Sequence, residues 1–266
     1  MTAYAELRDL ALEVAREAGE LIRTRRVDGF RVAATKTSIT DVVTDIDRAS
    51  EALIRERLLT ARPGDGFLGE EGSSDPSHSG VRWVVDPIDG TVNFVSGFPQ
   101  YAVSIGAEID GLAVAGVVLH VPSDLGYTAT LGGGAWREGE RLLPPSRNPL
   151  AQALVATGFN YDGRVRRIQA EAAARLLPHI GDIRRTGSCA LDLCHVAEGS
   201  FHAYVEEGVN PWDHCAGGLI ARECGAHTEL ATGAGGLTLL MCAPQDRFEE
   251  FRAAVVSAGF LAQPSR

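Results

Sequence analysis

Apolar residues recur at helical spacing from the start of the chain. Leu7, Leu10, Ala11, Val14, Ala18, Leu21 and Ile22 share one face, which predicts an amphipathic helix over 3–25. A second helix is expected to begin near Thr44, where Thr44 and Asp47 are spaced as a capping pair and Ala49, Leu53, Ile54 and Leu58 supply the apolar stripe. Short strands are expected at 66–69 and 82–86. Two apolar runs, 103–109 and 112–119, flank Asp110-Gly111, a dipeptide suited to the positive φ angles of a tight hairpin turn. A further hairpin is expected from 127–131 and 135–137 around Gly132-Gly133-Gly134. After the turn-rich stretch Leu143-Pro-Pro-Ser-Arg-Asn-Pro149 the pattern changes. Strands at 154–157, 182–185, 202–206, 228–230 and 237–242 alternate with helices over 165–177, 188–197, 213–224 and 246–258. The fold class read from this pattern is α+β passing into layered α/β, with subdomains over 1–145 and 146–266. No repeat and no low-complexity tract interrupts it.

Composition narrows the function classes. With 266 residues, 45% of them hydrophobic, the chain can bury one large core or a core shared by two intimate subdomains. A formal net charge of −10 supplies no basic field for a nucleic-acid backbone or an anionic membrane, so a polyanionic macromolecular partner is not expected. The first residues carry no charged leader ahead of an apolar core, and no run reaches the roughly 18 apolar residues of a membrane span; a cytoplasmic location is the expectation. Five cysteines without a C-x-x-C pair argue against a disulfide framework and a structural zinc site, and predict buried free thiols. Lys36 is the only lysine.

The candidate chemistry lies in carboxylates. Trp83-Val-Val-Asp86-Pro87-Ile88-Asp89-Gly90-Thr91 reads as an apolar strand that ends in two acids around a proline and runs into a Gly-Thr turn. Backbone N–H groups of Gly90 and Thr91 at a helix start could face an anion. A strand followed by an Asx turn and a helix cap accounts for such a string equally well. Further acids change that balance: Glu70 and Glu71 follow a short strand, and Asp213 stands at a helix start after Pro211-Trp212. If Glu70, Asp86, Asp89 and Asp213 converge, the donors are all oxygen, which selects Mg²⁺ or Mn²⁺ over Zn²⁺ and points to phosphate chemistry.

Gly-Glu-Glu at 69–71, the 83–91 string, the stretch from Pro211 to Ala226 and the segment 35–47 together resemble the signature motifs of the inositol monophosphatase family. The resemblance extends through 185–193 and 204–206 and so covers nearly the whole chain. It implies an alternating α-β-α-β-α sandwich whose first half carries most of the metal ligands. It also implies that Glu70, Asp86 and the main-chain oxygen of Ile88 hold one Mg²⁺, that Asp86, Asp89 and Asp213 hold a second, and that Glu70 serves a weaker third. Asp47 and Thr91, with Glu70, would handle the attacking water, and the Gly90 and Thr91 amides would cradle the phosphate. Gly187, Ser188, Cys189 and Glu206 match positions that face the alcohol, beside Asp89 and Asp213. Ser188 and Cys189 stand where members often have Thr and Ala, and Asn210-Pro211 precede Trp212, which leaves the alcohol open. The family further implies lithium inhibition and a homodimer, for which the apolar hairpins of the first half offer sheet surface.

A small phosphorylated polyol, inositol 1-phosphate first, is the expected substrate, because an acid at Glu206 suits several hydroxyls. Fructose 1,6-bisphosphate, histidinol phosphate and a 3′-phosphoadenosine nucleotide are the alternatives within the superfamily, and a regulatory binding protein on the same fold is the alternative outside catalysis. Ser188, Asp192 and His195 fall at i, i+4 and i+7 but lack the G-x-S-x-G elbow of a hydrolase nucleophile. His214 reads as a packing residue. Gly132–Gly134 lacks the pattern of a nucleotide loop.

Overall fold

The computed structural model describes residues 2–28, 32–35, 42–143 and 148–262. Residues 36–41 of the 35–47 motif with Lys36, the core of the turn-rich stretch at 144–147, and the expected boundary at 145/146 lie outside the described residues. The chain opens with α1 (Thr2–Asp28), a two-stranded hairpin of β1 (Val32–Thr35) and β2 (Val42–Thr44), and α2 (Asp45–Ala61). The expected cap of α2 is present: the Thr44 hydroxyl accepts from the N–H of Ile46 and Asp47, and the Asp47 carboxylate accepts from the Thr44 N–H.

Next come β3 (Gly66–Gly69), β4 (Ser74–Asp75), β5 (Val81–Asp89), the single-turn α3 (Thr91–Ser96), β6 (Ala102–Ile109), β7 (Leu112–His120), β8 (Leu125–Thr130), β9 (Gly134–Arg137) and β10 (Glu140–Arg141). These strands form one eight-stranded sheet in the order β10-β9-β8-β7-β6-β5-β3-β4, antiparallel except where β3 runs parallel to β5. The β6–β7 turn takes φ of +52° at Asp110 and +77° at Gly111, as the dipeptide predicted.

The remainder is β11 (Leu154–Thr157), α4 (Gly163–Leu176), β12 (Asp182–Arg184), α5 (Cys189–Glu198), β13 (Ala203–Glu207), α6 (Pro211–Glu223), β14 (Ala226–Thr232), β15 (Thr238–Pro244) and α7 (Phe248–Ala258). Here a five-stranded mixed sheet has the order β12-β11-β13-β15-β14.

Three apolar clusters stack these parts into five layers. One joins α1 and α2 to the first sheet through Val14, Ile22, Ile54, Trp83 and Ile105. The central cluster places α5 and α6 between the sheets, with Leu193, Ala216 and Leu219 meeting Val84 and Tyr127 on one side and Tyr204 and Cys242 on the other. The third packs α4 and α7 on the outer face of the second sheet. The result is the α-β-α-β-α sandwich. All five cysteines are free and buried. Among the described residues no helix is long and apolar enough to cross a membrane.

Candidate active site

Acids accumulate at the C-terminal end of β5 because the strand departs from regular pairing there. Asp86 lies opposite Ser104 and Asp89 opposite Ala102, so three steps along β5 match two along β6 and the strand bulges. Asp86 Oδ1 accepts from the Ile88 N–H at 3.0 Å, closing an Asx turn, and the Ser50 hydroxyl of α2 donates to the Pro87 carbonyl at 3.3 Å. Gly90 then takes φ of +96°, where a Cβ would stand 2.9 Å from the Gln100 carbonyl oxygen, so glycine is required. The first residue of α3 follows. Thr91 Oγ1 lies 3.0 Å from both Asp47 Oδ1 and the Ile88 carbonyl oxygen.

Other elements bring the remaining groups to this point. Glu70 sits on the turn after β3, and its N–H donates to the Val85 carbonyl at 3.1 Å. The turn is held from behind by Glu51 of α2, whose buried carboxylate accepts from the N–H groups of Glu71 at 2.7 Å and Ser73 at 3.1 Å. Asp89 Oδ2 accepts from the Ser188 hydroxyl at 2.5 Å and the Ala190 N–H at 2.7 Å, both at the N-terminus of α5. Asp213, in the first turn of α6, accepts from the Asn210 N–H at 2.6 Å. Glu206 accepts from the Tyr204 hydroxyl at 2.8 Å, and it fits because Gly158 has no side chain: a Cβ there would fall 1.9 Å from Glu206 Oε2.

Together these groups border one cleft of about 610 Å³. Glu70, Asp86, Ile88, Asp89, Gly90, Thr91 and Asp213 line its floor side, with Gly187, Cys189 and Glu206. Phe159, Asn160, Tyr161, Arg185, Leu237 and Thr238 also line it. Two of the residues singled out from sequence do not. Asp47 is fully buried and reaches the cleft through Thr91, while Ser188 is buried with its hydroxyl committed to Asp89 and Leu191. Ser188 is therefore corrected from an alcohol-facing residue to a support for Asp89: as the N-cap of α5 its side chain turns back into the protein.

Ser188, Asp192 and His195 form no triad, as the missing elbow led one to expect. The Ser188 hydroxyl bonds Asp89, Asp192 is the acceptor of Thr186, and the His195 ring lies between Glu198 and Gln100. His214 does not line the cleft, and burial pushes its ring down to about 4.

Sequence reading missed Glu51 and Asn93. Asn93 Nδ2 donates to the carbonyls of Gln100 at 2.7 Å and Thr186 at 2.9 Å, tying α3 to the segment ahead of Gly187. The signal for Glu51 was available: it stands four residues after Asp47 and three before Ile54, on the face that α2 buries. Nothing local marks Asn93, whose partners lie 7 and 93 residues away.

The electrostatics are those of crowded acids. Burial pushes Asp86 well above the carboxylate range, and Glu70, Asp89 and Asp213 add repulsion. Asp89 is raised by burial to about 7, against the pull of its Ser188 and Ala190 donors. Asp213 is raised well above its ordinary value by burial and Glu70, and Asp47 is raised by burial despite its donors. Glu206 is raised by burial while Tyr204 and Arg185 hold it down. Among the described residues no three His, Cys, Asp or Glu side chains are gathered tightly enough to grip an ion as they stand. The chemistry of the set nonetheless suits a hard cation: the donors are all oxygen, and positive charge would relieve the repulsion that each acid feels.

A family model described as the inositol monophosphatase family matches residues 3–258. The chain belongs to the inositol monophosphatase family. It is thus an enzyme of a family of phosphoric monoester hydrolases. It is 45% identical over 262 residues to the Mycobacterium tuberculosis protein named Inositol-1-monophosphatase SuhB, covering 90% of each chain. The Escherichia coli protein named Nus factor SuhB is 36% identical over 227 residues, 85% of each chain. A solved structure of Mycobacterium tuberculosis SuhB superposes with a TM-score of 0.83 at 43% identity, over 97% of this chain and 98% of that one.

Proposed function

We propose that this protein is a Mg²⁺-dependent phosphatase that hydrolyses a small phosphorylated polyol, with inositol 1-phosphate as its preferred ester. The observation that carries the reading is the meeting, in one cleft, of Glu70, Asp86, Asp89 and Asp213 with Thr91 on one side and Glu206 on the other. In this reading Glu70, Asp86, the Ile88 carbonyl, Asp89 and Asp213 hold two or three ions, with Mn²⁺ as a substitute. Bound ions of this kind offset the ester's charge, acidify a water and stabilise the departing alkoxide.

The chain's own groups do the rest. Asp47 draws the Thr91 proton toward itself, which leaves a Thr91 Oγ1 lone pair to accept from the attacking water and hold it in line. Glu70, across the floor, accepts the second proton of that water. The N–H groups of Gly90 and Thr91 receive the phosphoryl oxygens, with the positive φ of Gly90 setting the approach. Asp89 is kept from turning by its two donors on α5. On the alcohol side Glu206 accepts from ring hydroxyls beside Gly187 and Cys189.

The name of the Escherichia coli relative gives a second reading its footing, in which the fold serves as a regulatory binding protein. Every carboxylate position being filled favours catalysis. A phosphatase assay over inositol 1-phosphate, fructose 1,6-bisphosphate, histidinol phosphate and a 3′-phosphoadenosine nucleotide separates the readings. Hydrolysis of inositol 1-phosphate is expected with Mg²⁺, abolished by EDTA, restored by Mg²⁺ or Mn²⁺, and inhibited by lithium. No turnover of any ester with Mg²⁺, or full activity in EDTA, would overturn the proposal.

A further inference from the structure

Two buried polar side chains behind the cleft serve none of the steps above, and both fasten its outer walls. Gln169 of α4 and Glu207 at the end of β13 are each 1% exposed. Gln169 Oε1 accepts from the Asn160 N–H at 2.7 Å, and its Nε2 donates to the Glu207 carbonyl at 3.0 Å. One amide thus ties the wall that carries Phe159, Asn160 and Tyr161 to the strand that carries Glu206. The carboxylate of Glu207 turns away from the cleft and accepts from the N–H groups of Gly235 and Leu237, each at 3.0 Å. That fixes the adjoining wall, where Leu237 and Thr238 line the cleft. Close approach makes the second clamp specific: a Cβ at Gly233 would lie 2.2 Å from the Glu207 side chain, and one at Gly235 2.8 Å from its Oε1.

The sequence places Glu206 and Glu207 side by side as though equivalent. Alternation along β13 separates them, one acid to the cleft and one to the loop behind it. Buried polar groups with every partner satisfied rigidify what they join, and removal of one partner leaves the others unpaired. The floor of the cleft hangs on different groups, namely Glu51, Asn93 and Ser188.

We infer that Gln169 and Glu207 are positioning residues that set the two outer walls of the cleft and, through them, the choice of alcohol, while leaving the phosphate floor untouched. The inference rests on the phosphatase reading for its effect on selectivity, but not for its effect on the walls. The test uses the full chain with Gln169→Met, which fills the same volume without either hydrogen bond, and Glu207→Gln, which sets a donor against one of the two loop N–H groups. Amide exchange is read first. Gln169→Met should speed exchange at Asn160, and Glu207→Gln at Gly235 or Leu237, by about tenfold, as loss of one buried hydrogen bond implies. Exchange at Glu71 and Ala190, on the floor, should not change.

Selectivity is read second, as kcat/KM for inositol 1-phosphate against p-nitrophenyl phosphate. The ratio should fall about tenfold in each variant, with the featureless ester little affected. Unchanged exchange at the walls, or an equal loss on both esters, would overturn the inference. If the parent protein hydrolyses neither ester, it is the phosphatase reading that fails, and the exchange pattern still decides whether the clamps hold the walls. Should Gln169→Met not fold, Glu207→Gln alone carries both measurements.

Discussion

At the scale of single residues, Asp89 is the group on which the two halves of the chain agree. It comes from β5, yet its fixed geometry comes from Ser188 and Ala190, about a hundred residues later. In Asp89→Asn the charge is lost, and the side-chain amide nitrogen faces either the Ser188 and Ala190 donors or the floor of the cleft. A bound metal supplies several kcal/mol of transition-state stabilisation, so kcat should fall by about three orders of magnitude while folding stays near wild type. Wild-type turnover in that variant would refute the role given to Asp89. Glu206 makes the complementary case. Glu206→Gln should raise KM for inositol 1-phosphate about tenfold to a hundredfold relative to p-nitrophenyl phosphate, because a donor then meets the Tyr204 hydroxyl and the substrate's hydroxyls. An equal change for both esters would place the acid with the phosphate instead.

At the scale of elements, the site depends on strand ends meeting helix starts. The β5 bulge, the Gly90 turn and the first turns of α2, α5 and α6 contribute its groups, so local pairing decides what can approach what. The junction of β11 and β13 is the tightest of these. Thr157 pairs with Val205, and the next residues, Gly158 and Glu206, stand so close that only glycine admits the carboxylate. Gly158→Ala should therefore expel Glu206 from its place without adding or removing a polar group. Kinetics on the two esters should resemble Glu206→Gln, with a rise in KM for inositol 1-phosphate and little effect on kcat for p-nitrophenyl phosphate. A variant with unaltered KM for both would show that the alcohol is recognised elsewhere.

At the scale of the whole molecule, the cleft is a place where folding works against charge. Asp89 is raised from 3.8 to about 7, so the folded protein favours its neutral form. The corresponding stability is complete below the unfolded value of 3.8 and is lost as pH rises through about 7. Asp86, Asp213 and Asp47 shift in the same direction. In EDTA the melting temperature should decline between about pH 5 and pH 8, and millimolar Mg²⁺ at pH 8 should recover it, since an ion that binds only the folded chain stabilises by mass action. A melting temperature that is flat or rising over that interval in EDTA would contradict the crowding of these acids. The β6–β7 hairpin, one of the apolar hairpins expected to offer sheet surface to a second copy, is covered by α1 on one side and α6 on the other. Dimerisation is left to the family resemblance, and light scattering at micromolar concentration should return twice the chain mass; monomer alone would end that expectation.

The periodic and cap-bearing parts of this protein were determined locally and could be read locally. The helix after Thr44, the Asp110-Gly111 hairpin and the strand at 154–157 follow from spacing, turn chemistry and capping, which involve neighbours only. The four acids of the floor were legible because they sit at ends of such elements, inside strings specific enough to carry a family. Tertiary structure alone decided how these groups are held. Ser188 left the cleft to hold Asp89, Glu207 turned inward to hold the 235–237 loop, and Glu51 and Asn93 became supports for turns far away in sequence. Each reversal has one cause: a buried polar group must find a partner, and in a five-layer sandwich that partner is supplied by a different layer, at a separation no local pattern encodes.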